Sequence, residues 1–248
     1  MEEGEGRPSL VGQAAAYDRR KILERAEQAQ RAGRTRKAIA LYRWVLAVER
    51  NNPQLHARLA PLLARTGDHF DAWQSLRRCA EAALRENREE RAVALYRDAT
   101  RMLPRELQAW MNLGRLLAKR GEEREAVAVL IEGSRHFDTR KLRSQAIHLL
   151  RRARLVSPWD AECVLALARQ LSRSAQREEA RLLLEGLASR APASQLRRVR
   201  AAQLRIDGNP ASLWRWLRSC FRVPPPEPAS GPERPVPLDD GRARVRAP

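Results

Sequence analysis

The stretch from residue 107 to residue 138 restricts the possible folds of this chain more than any other, because it carries two helical patterns separated by a glycine. The first pattern has four residues with the i, i+3, i+4 and i+7 spacing of one helix face, namely Trp110, Leu113, Gly114 and Leu117. After Gly121, three more residues define the inner face of a second helix: Ala126, Leu130 and Gly133. The small residues predict two antiparallel helices in close contact, with the large residues filling the space between them.

A longer repeat of the same kind extends over most of the chain. Five residues have counterparts of the same class 54 residues later: Gly67, Ala72, Leu76, Ala92 and Tyr96 correspond to Gly121, Ala126, Leu130, Ala146 and Leu150. Each such unit has room for three helices, and four units predict about twelve helices. Alanine, leucine, arginine and glutamate, which are good helix formers, dominate the composition. We therefore expect an all-α protein.

The 107–138 pattern resembles the tetratricopeptide repeat, a helix–turn–helix unit with an aromatic residue, Leu-Gly, Ala, an aromatic residue or Leu, and Pro at fixed offsets. The chain departs from this signature at Asp138, where the family usually carries proline. The resemblance implies a right-handed superhelical solenoid of antiparallel helices with a concave surface. It also implies that this surface binds other proteins.

Composition divides the chain into three regions. Residues 1–12 are acidic and have no apolar helical pattern, so we expect a disordered leader. The repeat domain is predicted at 13–222, with capping helices at 192–222. Eight of the last 26 residues are proline, which predicts a disordered, partly polyproline-II tail at 223–248.

The formal net charge is +18, and almost all the positive charge is arginine. One interpretation is the coding bias of a GC-rich bacterial genome, with arginines on solvated helix faces. The other interpretations are an acidic protein partner, nucleic acid or an anionic membrane surface. Basic residues concentrate at 134–158 and 192–222, where seven basic residues accompany one acidic residue in each band. Nucleic acid is the lesser alternative, because few aromatic residues lie among these arginines as stacking platforms.

Polar and basic residues occupy the side of the 107–119 helix opposite its apolar stripe, and arginines recur there 54 residues later. The predicted partner-binding groove consists of Asn112, Arg115, Lys119, Arg169 and Arg173. Only Asn112 and Arg115 resemble parts of the carboxylate clamp found in some members of the family, so that clamp is not supported. We expect a basic groove that binds an acidic or extended segment of a protein partner. The chain is then a non-catalytic scaffold or adaptor.

The sequence favours neither an enzyme nor a cofactor-binding protein. None of the four histidines has a metal-ligand spacing, and the chain has no phosphate-binding glycine-rich loop or GxSxG motif. We expect no catalytic residues, no metal site, no cofactor and no small-molecule substrate. Cys79, Cys163 and Cys220 form no CxxC pair, and Cys79 occupies a position that needs a small core side chain. Without a signal-peptide pattern, a cytoplasmic location is expected.

The predicted last helix, at 212–222, is amphipathic and basic. Four apolar residues share one of its sides: Leu213, Trp214, Leu217 and Phe221. We expect this side to cover the apolar end of the last hairpin. Contact of 214–221 with an anionic membrane surface is a weaker alternative. Three other tryptophans are expected to fill the core: Trp44, Trp110 and Trp159.

Overall fold

The computed structural model describes residues 18–221, without the side chain of Phe221. The predicted leader at 1–12 and the predicted tail at 223–248 lie outside the described residues. Between residues 18 and 221 the chain forms twelve α-helices and no strand. The prediction of an all-α chain with about twelve helices is therefore confirmed.

Short connections join the twelve helices. They are α1 (Arg19–Arg31), α2 (Thr35–Val48), α3 (Pro53–Thr66), α4 (His69–Arg85), α5 (Glu89–Met102), α6 (Leu107–Lys119), α7 (Glu123–Arg135), α8 (Arg143–Val156), α9 (Ala161–Arg173), α10 (Arg177–Ala188), α11 (Ala193–Asp207) and α12 (Pro210–Phe221). The starts of α2, α5 and α8 are equally spaced along the chain. The three-helix super-period itself stays a prediction, because equal starts do not show equal packing.

One kind of ion pair recurs along the stack. Arg43 on α2 pairs with Asp71 on α4, Arg97 on α5 with Glu125 on α7, and Arg151 on α8 with Glu179 on α10. All six side chains are substantially exposed, so each pair contributes little to stability by itself. The recurrence is in keeping with the predicted super-period.

Local sequence signals set the ends of the helices. At the start of α3, the Asn52 side chain accepts hydrogen bonds from the backbone N–H groups of Gln54 and Leu55 at 3.0 and 3.2 Å. After α3 and α6, Gly67 and Gly121 have φ values of 86° and 81°, which glycine adopts without strain. The chain can therefore reverse within two or three residues and pack the next helix on the previous one.

The helices form an extended stack. Each helix packs on its neighbours in the chain, and α6 also contacts α8, α7 contacts α9, and α9 contacts α11. Within residues 18–221, all substantial contacts join helices that are adjacent or next but one in the sequence. This is the packing of a helical solenoid, in which each unit is stabilised by its immediate neighbours.

The hairpin of α6 and α7 has the close approach that the small residues predict. A Cβ atom at Gly114 would lie 2.7 Å from Leu130 Cγ, and one at Gly133 would lie 2.7 Å from Trp110 Cδ2. Carbon atoms in contact are about 3.5–4.0 Å apart, so these two positions have room for glycine only. Trp110 is only 4% exposed, and its indole N–H donates to the carbonyl oxygen of Pro104 at 3.0 Å.

Buried apolar side chains form two clusters that meet at this hairpin. The first cluster begins at α1 and includes Leu113 and Leu117 of α6. The second includes Trp110 of α6 and Leu130 of α7, and it continues to Val199 of α11. The α6–α7 hairpin therefore joins an N-terminal half and a C-terminal half.

Two of the three core tryptophans were predicted wrongly. Trp44 is 49% exposed and Trp159 is 41% exposed. Trp159 packs against α10 at Gly186, and the Arg190 guanidinium lies 4.1 Å from the centroid of its ring. The ring thus covers the outside of a helix and makes a cation–π contact at the surface. Cys79 is buried, as predicted.

The last helix also differs from its prediction. Leu213 and Trp214 are 43% and 67% exposed, so these two side chains do not cover the preceding hairpin. Ser212 and Ser219 are buried instead. They are seven residues apart and share one face of α12, and that face is turned toward the protein because α12 packs on α11.

Candidate functional site

A groove of about 550 Å³ lies between α7, α9 and α11. We call it the α7–α9–α11 groove. Apolar side chains contribute to its lining, among them Ile131, Leu165 and Ile206. Five arginines also line it: Arg135, Arg169, Arg173, Arg198 and Arg205. Asp138 and Glu162 are the acidic residues in the lining, so positive charge predominates.

The amphipathic pattern of each helix places these arginines. Arg169 and Arg173 are four residues apart on α9 and therefore share a face. The other face of α9 is held in the core by Val164, Leu167 and Leu171. Arg135 lies in the last turn of α7. Contacts of α9 with both α7 and α11 bring the three arginine-bearing helices side by side.

Three of the five arginines have no carboxylate partner in the described part of the chain. Arg173 Nη1 lies 2.8 Å from Asp138 Oδ1, and Arg198 lies 3.8 Å from Glu162. Arg135, Arg169 and Arg205 form no ion pair within residues 18–221. Their guanidinium groups can therefore bind carboxylates of another molecule, often with two parallel hydrogen bonds.

Asp138 connects the loop after α7 to α9. Its Oδ1 atom accepts hydrogen bonds from Gln170 Nε2 at 2.9 Å and from Arg173 Nη1 at 2.8 Å. The bond from Gln170, and then that from Arg173, hold the pKa of Asp138 below its ordinary value, although burial acts in the opposite direction. Asp138 thus orders one wall of the groove.

Gln170 supplies a hydrogen-bond acceptor of a different kind. Its side chain is only 7% exposed and lines the groove. Because Nε2 donates to Asp138, the amide orientation is fixed, and Oε1 is buried without a donor from residues 18–221. A buried acceptor of this kind suits the N–H group of a bound peptide.

The structure brings together two of the five residues predicted for the binding groove. Arg169 and Arg173 line the α7–α9–α11 groove, whereas Asn112, Arg115 and Lys119 lie on α6, outside its lining. Lys119 Nζ is 3.1 Å from Glu89 Oε1. The role of the three α6 residues in binding stays a prediction.

Sequence reasoning missed four groove residues: Arg135, Arg198, Arg205 and Gln170. The three arginines belong to the basic bands at 134–158 and 192–222. Their charge was therefore a usable signal, but the surface they share depends on the stacking of α7, α9 and α11. Gln170 gave no signal, because a single glutamine on an amphipathic helix is usually solvated.

A second groove, of about 640 Å³, lies between α2, α3 and α4. Arg43, Arg50 and Arg78 line it, and Arg43 pairs with Asp71. His56 in its wall is buried and bonded to the Arg50 carbonyl oxygen at 2.9 Å. Counting only ion pairs within residues 18–221, this groove has fewer unpaired arginines than the α7–α9–α11 groove.

Residues 18–221 contain no group of three or more His, Cys, Asp or Glu side chains that could hold a metal ion. None of the helices α1–α12 is both long enough and apolar enough to cross a bilayer.

Comparisons with known proteins give fold-level likenesses of low similarity. No family model matches the chain, and no curated protein matches it. A tetratricopeptide repeat protein from Parabacteroides merdae is 13% identical, with 81% of this chain and 90% of that chain covered and a TM-score of 0.29. The tetratricopeptide repeat protein TTC0263 from Thermus thermophilus is 19% identical, with 81% and 87% covered and a TM-score of 0.28.

PilF from Pseudomonas aeruginosa is 18% identical, with 81% of this chain and 88% of that chain covered and a TM-score of 0.28. TM-scores this low do not establish a relationship. The class of protein is therefore defined by the helix contacts of this chain itself, which are those of an all-α helical solenoid.

Proposed function

We propose that the protein is a non-catalytic scaffold that binds an acidic, extended segment of a partner protein in the α7–α9–α11 groove. The observation that supports this most directly is the set of five arginines around an apolar lining, three of them without a carboxylate partner in the described residues. Carboxylates of the ligand pair with Arg135, Arg169 and Arg205. Gln170 Oε1 accepts a backbone N–H of the same ligand.

The chemistry of the groove favours a peptide over a small anion. The arginines alone would be enough to bind a small anion. Ile131, Leu165 and Ile206 add apolar surface between the charges, which a small anion would not use. An extended segment with acidic and apolar side chains uses both. Asn112 and Arg115 of α6 are proposed to extend the binding surface along the stack for a longer ligand.

The test uses a fluorescein-labelled peptide of alternating Glu and Leu, with an alternating Gln and Leu peptide as the neutral comparison. Fluorescence anisotropy with the full chain measures both affinities. The R169E/R205E double variant should weaken binding of the acidic peptide about tenfold to a hundredfold, because charge-assisted hydrogen bonds are lost and replaced by repulsion. Binding of the neutral peptide should change little.

The matched control is R140E/R152E, which makes the same change in net charge. Both arginines are exposed, lie outside the groove lining and form no ion pair in residues 18–221. This variant should bind the acidic peptide like the wild type. Equal losses in the two variants, or no loss in R169E/R205E, would contradict the proposal.

Nucleic acid is the second proposal, and the same variants separate it from the first. Within the band at 134–158, Arg151 pairs with Glu179 and Arg143 donates to the Arg173 carbonyl oxygen at 2.7 Å. These contacts leave Arg140 and Arg152 for phosphates. A strongly salt-dependent affinity for single-stranded DNA that R140E/R152E weakens at least as much as R169E/R205E, which removes one arginine of the 192–222 band, would favour nucleic acid.

A further inference from the structure

The face of α12 that is turned toward the protein carries two buried serines, with Trp216 half-buried between them. Ser212 is 1% exposed and Ser219 is 7% exposed. The Ser212 hydroxyl donates to the carbonyl oxygen of Asn209 at 2.8 Å, and the Ser219 hydroxyl donates to that of Trp216 at 2.6 Å. Each of the two buried hydroxyl groups therefore has a hydrogen-bond partner.

The opposite face of α12 carries apolar and basic side chains. Leu213 and Trp214 are 43% and 67% exposed. Arg218 lies four residues after Trp214 and is exposed, and Arg215 is exposed next to it on the helix surface. A capping helix would bury these apolar side chains, whereas Trp216 and Leu217 of α12 are only half-buried and Leu213 and Trp214 are exposed.

Among the described residues of α11 and α12, basic side chains far outnumber acidic ones. Asp207 is the only acidic residue of α11 and α12, and its side chain is 12% exposed. Its Oδ1 atom lies 2.6 Å from Arg181 Nε, and its Oδ2 atom lies 4.0 Å from Arg215 Nη2. Arg197 and Arg218, both exposed, form no ion pair in the described residues.

We propose that α12 lies on an anionic lipid surface, with Leu213 and Trp214 entering the interface and Arg215 and Arg218 contacting lipid phosphates. Exposed apolar residues flanked by arginines are the pattern of a helix that lies in the plane of an interface, and tryptophan prefers that depth. Association with a second copy through this face would bring two cationic surfaces together. This surface is separate from the α7–α9–α11 groove and does not depend on the function proposed for that groove.

The test is flotation of the full chain with vesicles of phosphatidylcholine, alone or mixed with phosphatidylserine. The protein should float with the mixed vesicles and stay unbound with phosphatidylcholine alone, and added salt should weaken the binding. L213S/W214S should lower the affinity for the mixed vesicles about tenfold, because the exposed apolar area is lost. R215Q/R218Q should reduce the preference for the anionic lipid while keeping the apolar residues.

The control is Trp44→Ser, which removes another exposed tryptophan, 49% accessible and located on α2. It should leave vesicle binding unchanged. Circular dichroism of each variant verifies the helical fold. The proposal would be overturned by absence of flotation, or by equal losses in W44S and L213S/W214S. A change of L213S/W214S from dimer to monomer in light scattering would also overturn it, because the face would then belong to a protein interface.

Discussion

Replacing Gly133 by alanine tests the packing of the α6–α7 hairpin. The new Cβ would lie 2.7, 2.8 and 3.0 Å from Cδ2, Cγ and Cε3 of Trp110. The indole cannot easily move away. Its N–H is bonded to the Pro104 carbonyl oxygen at 3.0 Å, and its ring stacks on His136 with the centroids 5.4 Å apart.

The expected loss of stability follows from two opposing terms. Overpacking against an immobile ring costs about 2–3 kcal/mol. Alanine in place of glycine within a helix returns about 1 kcal/mol through helix propensity. The free energy of unfolding should therefore fall by about 1–2 kcal/mol.

Gly186→Ala is the matched control, because it makes the same substitution against another tryptophan. Its Cβ would lie 2.8 Å from Cη2 of Trp159, but that ring is 41% exposed and can move outward. Loss of the Arg190 cation–π contact costs about 0.5–1 kcal/mol, and the gain in helix propensity offsets it. The net change should be within about 0.5 kcal/mol of zero.

Urea unfolding followed by circular dichroism gives both free energies by linear extrapolation. We expect a clear loss of unfolding free energy for Gly133→Ala and almost none for Gly186→Ala. A neutral or stabilising effect of Gly133→Ala would refute the claim that Trp110 is held in place. A larger loss at Gly186 than at Gly133 would refute the assumption that exposure of the ring allows it to move.

Two further predictions concern ionisable side chains. Burial raises the pKa of the Cys79 thiol to about 11 and that of the Cys163 thiol to about 12, whereas Cys220 is exposed. Iodoacetamide at pH 8 should therefore modify Cys220 alone in the native protein. Mass spectrometry of the modified protein would show which cysteines have reacted. The pKa of Asp138 is lowered in the folded state, so its contribution to stability is complete above the unfolded pKa and is lost as the pH falls through the folded pKa. Asp138→Asn should accordingly show a smaller loss of unfolding free energy than the wild type when the pH is lowered from 7 into the acidic range, and an unchanged loss would contradict this reasoning.

Much of the fold could be predicted because the residues that pack against each other within a hairpin lie close together in the sequence. Glycine is present at positions 114 and 133 because the side chains of Leu130 and Trp110 occupy the space that a Cβ atom would need. Each glycine and its partner lie within one hairpin. The exposed tryptophans were predicted wrongly for a related reason. The pattern of an aromatic residue in an apolar stripe does not reveal whether another helix covers that residue, as Trp44 shows.

The site was predicted less completely, because its walls come from helices that are not consecutive. Arg169 and Arg173 could be found from their positions on one helix face. Arg135 and Arg205 belong to the same groove only because α7 and α11 both pack on α9. The face of each helix can be inferred from its own residues, but the neighbours that share a groove with it cannot.

The division of the core into two clusters has a consequence for how the molecule opens. Residues of α1–α5 belong to the first cluster, whereas the α7–α9–α11 groove is built on the second. A ligand in the groove stabilises the segments that it contacts. The free energy of binding should therefore protect the amides of α7–α11 from hydrogen exchange while leaving those of α1–α5 nearly unaffected. The two halves would then behave as separate cooperative units, and partner binding would increase the protection of only the C-terminal half.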